Sequence, residues 1–283
     1  MLKEAMEVLN PMPGGIYVDA TIGTGGHSEE LLKFIGSEGK LIGIDRDIEA
    51  LKITSERLKD KRVILKKGNF SDVENILSKE GISEVDGILF DLGVSILQIK
   101  SPERGFSFNS DMSLDMRMDQ EQRFSAWDIV NKYPEKELER IFKEFGEERY
   151  SRKIARSIVR YRTKKTIDTC SELSKIVERI CGRRGKIHPA TKVFQALRIE
   201  VNQELDELKA GLNASLRILK RAGRLCVISY HSLEDRIVKH FISDCSKKGL
   251  MKMLFKKPLI PCSDEIRLNP SSRSARLRGA EKI

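Results

Sequence analysis

The chain has 283 residues, 40% hydrophobic and 33% charged, with a formal net charge of +10; that leaves room for one large α/β domain carrying a small second one, and such a surface attracts polyanions, nucleic acid first among them. No stretch approaches the roughly 18 consecutive apolar residues of a membrane-spanning helix, and Glu4 and Glu7 do not fit a secretory signal, so a cytoplasmic protein without membrane contact is expected. The five cysteines include no C-x-x-C pair and the four histidines no H-E-x-x-H arrangement, which argues against a disulfide framework and a zinc site; no protein-bound metal is expected.

Short apolar, β-prone runs lie at residues 16–20, 41–45, 63–65, 87–91 and 225–230. Helix-like segments near 28–35 and 47–58 separate the first three. Runs so short and uniformly apolar fit strands covered on both faces, as in a parallel sheet. Strand–helix alternation predicts a doubly wound α/β domain. The alternation stops after Leu92. From about Pro102 to Val201 a loop rich in Ser, Asp and Met is followed by helical spacing: Ile154, Ile158 and Tyr161, then Phe194, Leu197, Val201, Leu205, Leu208, Leu212, Leu216 and Leu219. Pro189 sits where a helix would begin. Strand signals return at Leu225. The expectation is one parent domain, residues 1–101 and 202–283, interrupted by a helical insertion at 102–201.

The first strand runs into DATIGTGGHS at 19–28. Glycines in such a turn let the backbone approach a ligand and aim a helix N-terminus at it. The second strand ends at Asp45, 22 positions after Gly23, where a carboxylate can accept hydrogen bonds from both ribose hydroxyls of an adenosine. A glycine-rich turn also serves plain tight packing, and this one departs from G-x-G-x-x-G at Ser28. Asp19 suits a ligand with a cationic amino-acid tail better than a pyrophosphate, which favours S-adenosylmethionine over NAD. Two further segments end strands: GNFSD at 68–72, with Phe70 placed to cover an adenine face, and DLGVS at 91–95. Ligands of open α/β sheets collect at such ends.

Together these segments resemble the bacterial ribosomal RNA small-subunit (cytosine-N4)-methyltransferases, the RsmH family. The similar stretches continue with RGFSF (104–108), LDMRMD (114–119), GEERYSRKIARSIV (146–159), HPATKVFQALRIEVNQEL (188–205), SYHSLEDRIVK (229–239) and RSARLR (273–278). The resemblance implies a class I S-adenosylmethionine methyltransferase fold, a Rossmann-like doubly wound sheet, with an inserted all-helical substrate-recognition domain. It implies methylation of the exocyclic N4 amine of a cytidine in the decoding region of bacterial 16S ribosomal RNA. It places the cofactor contacts on Gly25, Gly26, His27, Asp45, Phe70, Asp91 and Gln98. The partner is then small-subunit ribosomal RNA or the assembling subunit, and a homodimer is allowed. The chain departs from the family pattern at Ile96, at Lys100 and at Ser271-Ser272, and shows no N-terminal His-x-Pro-Val-Leu element.

An acceptor that holds an N4–H would orient the amine and take its proton. Asp91 is the first candidate; a pure cofactor contact there, or a main-chain carbonyl as acceptor, is the alternative. Ser232 with Asp235 reads as a capping box after the fifth strand. That segment either just starts a helix or sets His231 against the target base or its phosphate. Trp127, the sole tryptophan, is either core or the stacking partner of a flipped base. Residues 151–166 hold seven Lys or Arg and no acid, with Arg152, Arg156 and Arg160 on one helical face. Arg179, Arg183, Arg184 and Lys186 form a second basic run, and Arg273, Arg276 and Arg278 a third. Three runs in one basic chain point to phosphate contacts. A DNA or protein N-methyltransferase lacks its Pro-Pro-Tyr/Phe tetrapeptide here, Ser28 argues against an NAD oxidoreductase, and the intact loop with Asp45 and Asp91 argues against an inactive RNA-binding module.

Overall fold

The computed structural model describes residues 1–182 and 188–283. They divide into one compact unit of residues 1–93 and 205–283 and a second of residues 94–204. The first unit opens with α1 (Leu2–Leu9) and then alternates through β1 (Ile16–Asp19), α2 (Gly26–Leu32), β2 (Lys40–Asp45), α3 (Ile48–Arg57), β3 (Val63–Lys67), α4 (Val73–Lys79) and β4 (Val85–Asp91). The second unit holds α5 (Ile96–Lys100), α6 (Ala126–Lys132), α7 (Glu135–Glu144), α8 (Ser151–Arg162), α9 (Cys170–Cys181) and α10 (Thr191–Asn202). The chain returns through α11 (Glu204–Ile218), β5 (Leu219–Ser229), α12 (Ser232–Lys247), β6 (Met251–Met253), α13 (Ser263–Leu268) and β7 (Arg276–Lys282).

The sheet order is β3-β2-β1-β4-β5-β7-β6. The first five strands run parallel, and β7 is antiparallel to both of its neighbours. Strand order reverses between β1 and β4, so their carboxyl ends border the crevice where open α/β sheets take ligands. Successive residues of a strand face opposite ways, and here both faces are covered. Val18, Ile42, Ile88 and Val227 pack with Leu77, Leu212 and Val238 of α4, α11 and α12. Tyr17, Leu41, Leu89 and Ile228 pack with Leu9, Leu31 and Leu51 of α1, α2 and α3. Each such side chain contributes about 1.5–3 kcal/mol by leaving water. Double coverage is the reason the strands read as unbroken apolar runs. The fold is the doubly wound class I sheet, with the inserted all-helical unit, that the resemblance implies.

The second unit has its own core, with Leu138 and Phe142 of α7, Ile154 and Ile158 of α8, Leu173 and Val177 of α9, and Val193 and Leu197 of α10. The LDMRMD stretch is wired into it through Asn202, whose amide donates to the Met116 carbonyl (2.8 Å) and whose Oδ1 accepts from the Met118 N–H (2.9 Å). Arg117 grips Asp115 in a bidentate pair at 2.8 and 2.7 Å. This motif therefore sets a loop in place.

Some elements differ from the sequence reading. The single apolar series from Phe194 to Leu219 folds as two helices, because Gln203 takes a left-handed backbone (φ 50°) and ends α10. Strand β5 begins at Leu219, earlier than the run at 225–230. Helix α1 and the antiparallel strands β6 and β7 gave no clear signal. The second compact unit begins at Val94 and ends at Glu204, wider than the 102–201 segment. Arg183, Arg184 and Lys186 of the second basic run lie outside the described residues. No described helix is long and apolar enough to cross a membrane.

Candidate active site

Three of the parallel strands of the first unit end in an aspartate. At the end of β1, Asp19 is 2% exposed, and its Oδ2 accepts the Ser28 hydroxyl at 2.8 Å. Burial pushes its carboxyl up to about 6, against the pull of His27 and Ser28. The loop that follows is tied to the end of β2: the Gly23 N–H donates to Asp45 Oδ2 (2.8 Å) and the Thr54 hydroxyl to the Gly23 carbonyl (2.6 Å). Gly25 caps α2 with φ 82°. An added Cβ would strain that backbone and come within 3.1 Å of Leu58 and 3.2 Å of Thr54. Gly26 and His27 form the first turn of α2, where N–H groups have no carbonyl one turn earlier.

Asp45 Oδ1 accepts from the Asp47 N–H at 2.9 Å. Each Asp45 oxygen therefore spends one lone pair on the backbone and retains another. Burial raises this carboxyl too. Beside it, Arg46 donates to Asn69 Oδ1 (3.1 Å) and lies 5.7 Å from the centre of the Phe70 ring. Phe70 itself is 9% exposed and meets Phe90 edge-on at 5.6 Å, so most of its ring is packed into the sheet core.

Asp91 ends β4. Its Oδ1 accepts the Tyr230 hydroxyl at 2.9 Å, and its Oδ2 lies 3.5 Å from His27 Nδ1. Its own N–H donates to the Thr21 hydroxyl at 2.7 Å. Burial raises the Asp91 carboxyl, while His27 and Tyr230 pull the other way. The Tyr230 phenol is pushed up by burial and by Asp91. Gly93, at φ 100°, lies beneath that ring, with a Cβ position 3.4 Å from it. His27 Nε2 is buried and has no hydrogen-bond partner among the described residues.

At the end of β5 the structure corrects the capping assignment. The N-cap of α12 is His231, not Ser232, and its box partner is Glu234, not Asp235. His231 has the extended backbone a cap needs (φ −138°). Its Nδ1 accepts the Glu234 N–H at 3.3 Å, while the Glu234 carboxylate accepts the His231 N–H (3.2 Å) and the Tyr230 N–H (2.8 Å). An accepting Nδ1 puts the proton of the neutral ring on Nε2. That atom is 3.1 Å from Glu234 Oε1 but lies outside hydrogen-bond geometry. Asp235 instead binds Arg278 (2.7 Å) and Arg276 (3.0 Å) of β7. The third basic run is thus divided: Arg278 is buried in an ion pair, whereas Arg273 and Arg276 are exposed.

The structure brings Gly25, Gly26, His27, Asp45, Asp91 and His231 to the strand ends of the first unit, with Phe70 just behind. Gln98, Trp127, Arg152 and Arg156 belong to the second unit. Gln98 is buried and closes a capping box with Ser95. Trp127 donates from Nε1 to Asp168 (2.8 Å), with the Lys132 ammonium 5.2 Å over its ring. Arg152, Arg156 and Arg160 stand exposed on α8, opposite buried Ile154, Ala155 and Ile158; Arg156 lies 3.6 Å from Glu135. The sequence reading passed over Tyr230 as a site residue. Its position directly after an apolar strand was the available signal.

Asp19, Asp45 and Asp91 are acids held in a desolvated place that disfavours their charged forms. A cation and a vicinal diol would relieve that cost by charge and by donated hydrogen bonds. The unpartnered His27 Nε2 marks the same place as built for a ligand.

The sequence profile of the MraW methylase family matches residues 1–283. A "Ribosomal RNA small subunit methyltransferase H" of Caldicellulosiruptor saccharolyticus is 48% identical, over 100% of this chain and 98% of its own length. Its namesake in Persephonella marina is 49% identical, over 99% and 97%. Among solved structures, a candidate rRNA methylase from Clostridium thermocellum superposes with a TM-score of 0.50 at 14% identity, covering 99% of this chain and 96% of that one, a likeness of fold.

Proposed function

Because this chain belongs to the MraW methylase family, we propose that it methylates the exocyclic N4 amine of a cytidine in the decoding region of small-subunit ribosomal RNA. S-adenosylmethionine is the methyl donor; it supplies a carbon already bonded to a good leaving group, so the protein's task is alignment. The observation that carries this reading is the row of aspartates at the ends of β1, β2 and β4, Asp19 buried and Asp45 and Asp91 half-buried, each in surroundings that disfavour its charge. They fit a ligand with a sulfonium, an ammonium and a ribose diol.

Asp45 accepts the two ribose hydroxyls with its remaining lone pairs. Gly25 and Gly26 let the loop close on the donor, and Asp19 faces its cationic tail. Asp91 accepts an N4–H of the cytosine, orients the lone pair for in-line attack and takes the proton as the new N–C bond forms. Tyr230 and His27 hold that carboxylate in position. His231 presents its Nε2–H to the base or its phosphate. Phe70 and Gln98 are assigned to the donor on the resemblance alone. In the second unit, Arg152 and Arg156 take phosphates, and Trp127, anchored by Asp168, stacks on the extruded base.

The test is mass mapping of small-subunit RNA after incubation with isotopically labelled donor. One labelled N4-methylcytidine in the decoding region is expected. Label at a carbon or a ribose oxygen, or none in RNA, would overturn the assignment.

A further inference from the structure

Next to the reaction centre the first unit holds a cavity of about 320 Å³, at the small end of the roughly 300–1,000 Å³ range of ligand clefts. Its walls include Tyr230 and His231, then Ile260 and Ile266, then Arg273 and Arg276. Among the described residues no carboxylate lines it. Arg273 is exposed and has no ion-pair partner among the described residues. Arg276 is half exposed and gives one guanidinium nitrogen to Asp235, which leaves the rest of its fork uncommitted. Ile260 is 68% exposed, a large apolar side chain kept in water. His231, with side-chain exposure of 10%, contributes a buried Nε2 without a hydrogen-bond partner.

Two arginines in the lining suit a phosphate. Aliphatic side chains in the same lining suit the face of a base, because every base offers an apolar face whatever its edge. Tyr230 joins the two places: its hydroxyl touches Asp91 while its residue lines this cavity. A ligand here is therefore a near neighbour of the methyl acceptor. We propose that the cavity seats the nucleotide next to the target in the RNA strand, with its phosphate on Arg273 and Arg276 and its base against Ile260 and Ile266. This rests on the RNA reading above and adds to it a flanking-nucleotide site in the first unit.

The test uses the full chain with small-subunit RNA and compares R273A, R273K and I260A. R273A should raise KM for RNA about tenfold and lower the slope of log affinity against log salt by about one, as for a lost phosphate contact. Its kcat should stay within about twofold and its affinity for S-adenosylhomocysteine should not change, because the contact binds the ground state and transition state alike. R273K should restore the salt slope. I260A should raise KM with the slope unchanged. If R273A and I260A both keep the wild-type KM and slope, the site does not exist. Wild-type protein that binds the donor yet leaves RNA unmethylated would instead overturn the RNA reading, and this site with it.

Discussion

The phenol of Tyr230, one residue past the end of β5, donates to Asp91 Oδ1 at the end of β4 over 2.9 Å. Two parallel neighbours are thereby joined at their tips by a side-chain bond. That bond favours the charged carboxylate, in opposition to burial.

Tyr230→Phe removes this donor and keeps the ring over Gly93. The fold should lose only about 1 kcal/mol. The Asp91 carboxyl should rise further, so the acid limb of the pH–rate profile should move to higher pH and transfer on that limb should fall. Affinity for S-adenosylhomocysteine should change little. A profile superposable on that of the wild type would show that ionisation of Asp91 does not limit transfer.

Asp19 makes cofactor affinity pH-dependent. Burial holds it at about 6 in the folded chain, against about 3.9 in an unfolded one. The stabilisation from its bound proton is therefore complete below the unfolded value and is lost as pH rises through 6. A cationic ligand favours the charged form instead. Binding of S-adenosylmethionine near pH 5.5 should release a proton, and affinity should rise up to about tenfold between pH 5 and 7. Calorimetry in buffers of different ionisation heat reads both effects, and Asp19→Asn should flatten them.

The central strands were legible because burial on both faces demands unbroken apolar runs, and their ends were legible because Asp19, Asp45 and Asp91 interrupt those runs. Strand β7 was not. Its Arg-Leu-Arg-Gly-Ala-Glu-Lys reads as a charged tail, and Arg278 is buried only because Asp235, distant in sequence, neutralises it. Tertiary pairing decides such a strand, and local pattern does not reveal it. The cap at His231 was hidden for a similar reason. Histidine is not among the usual caps, and Ser232 beside it is. Tyr230 acts through a contact between separate strands, which spacing within one segment does not show.

Asp45→Asn tests the sugar grip. The amide keeps one acceptor oxygen and loses the charge, so the bond from Gly23 or that from Asp47 is replaced by a clash of donors. Loss of charge-assisted bonds to the diol should weaken S-adenosylhomocysteine binding by about 2–3 kcal/mol, some 30- to 150-fold. Titration calorimetry measures this directly, with urea unfolding as the control for loop damage.

Asp235→Asn should destabilise the first unit without touching the donor site. The Asp235–Arg278 pair is buried on both sides, with exposures of 6% and 8%. Burial alone would raise the Asp235 carboxyl, but the bonds from Arg278 and Arg276 outweigh it and hold the group below its usual range. Breaking such a pair strands a buried guanidinium and should cost about 3 kcal/mol in urea unfolding. Because the folded pKa is lowered, the pair's contribution is present above the unfolded value and is lost as pH falls through the folded one. The variant and the wild type should therefore converge in stability in acid. A constant gap down to low pH would assign the loss to packing.

Charge reversal on α8 separates RNA grip from cofactor binding. Arg152 is exposed and has no ion-pair partner among the described residues, while Arg156 is shared with Glu135. Arg152→Glu should thus be the cleaner probe, and Arg156→Glu should also repel Glu135. Each lost phosphate contact lowers the salt slope by about one, so the double variant should lose about two and bind RNA at least tenfold more weakly near 0.1 M salt. Calorimetry with S-adenosylhomocysteine should be unchanged, because neither arginine is among the residues assigned to the donor. An unaltered salt slope would mean that this basic face is merely solvated, and the phosphate contacts would then have to come from the other basic residues.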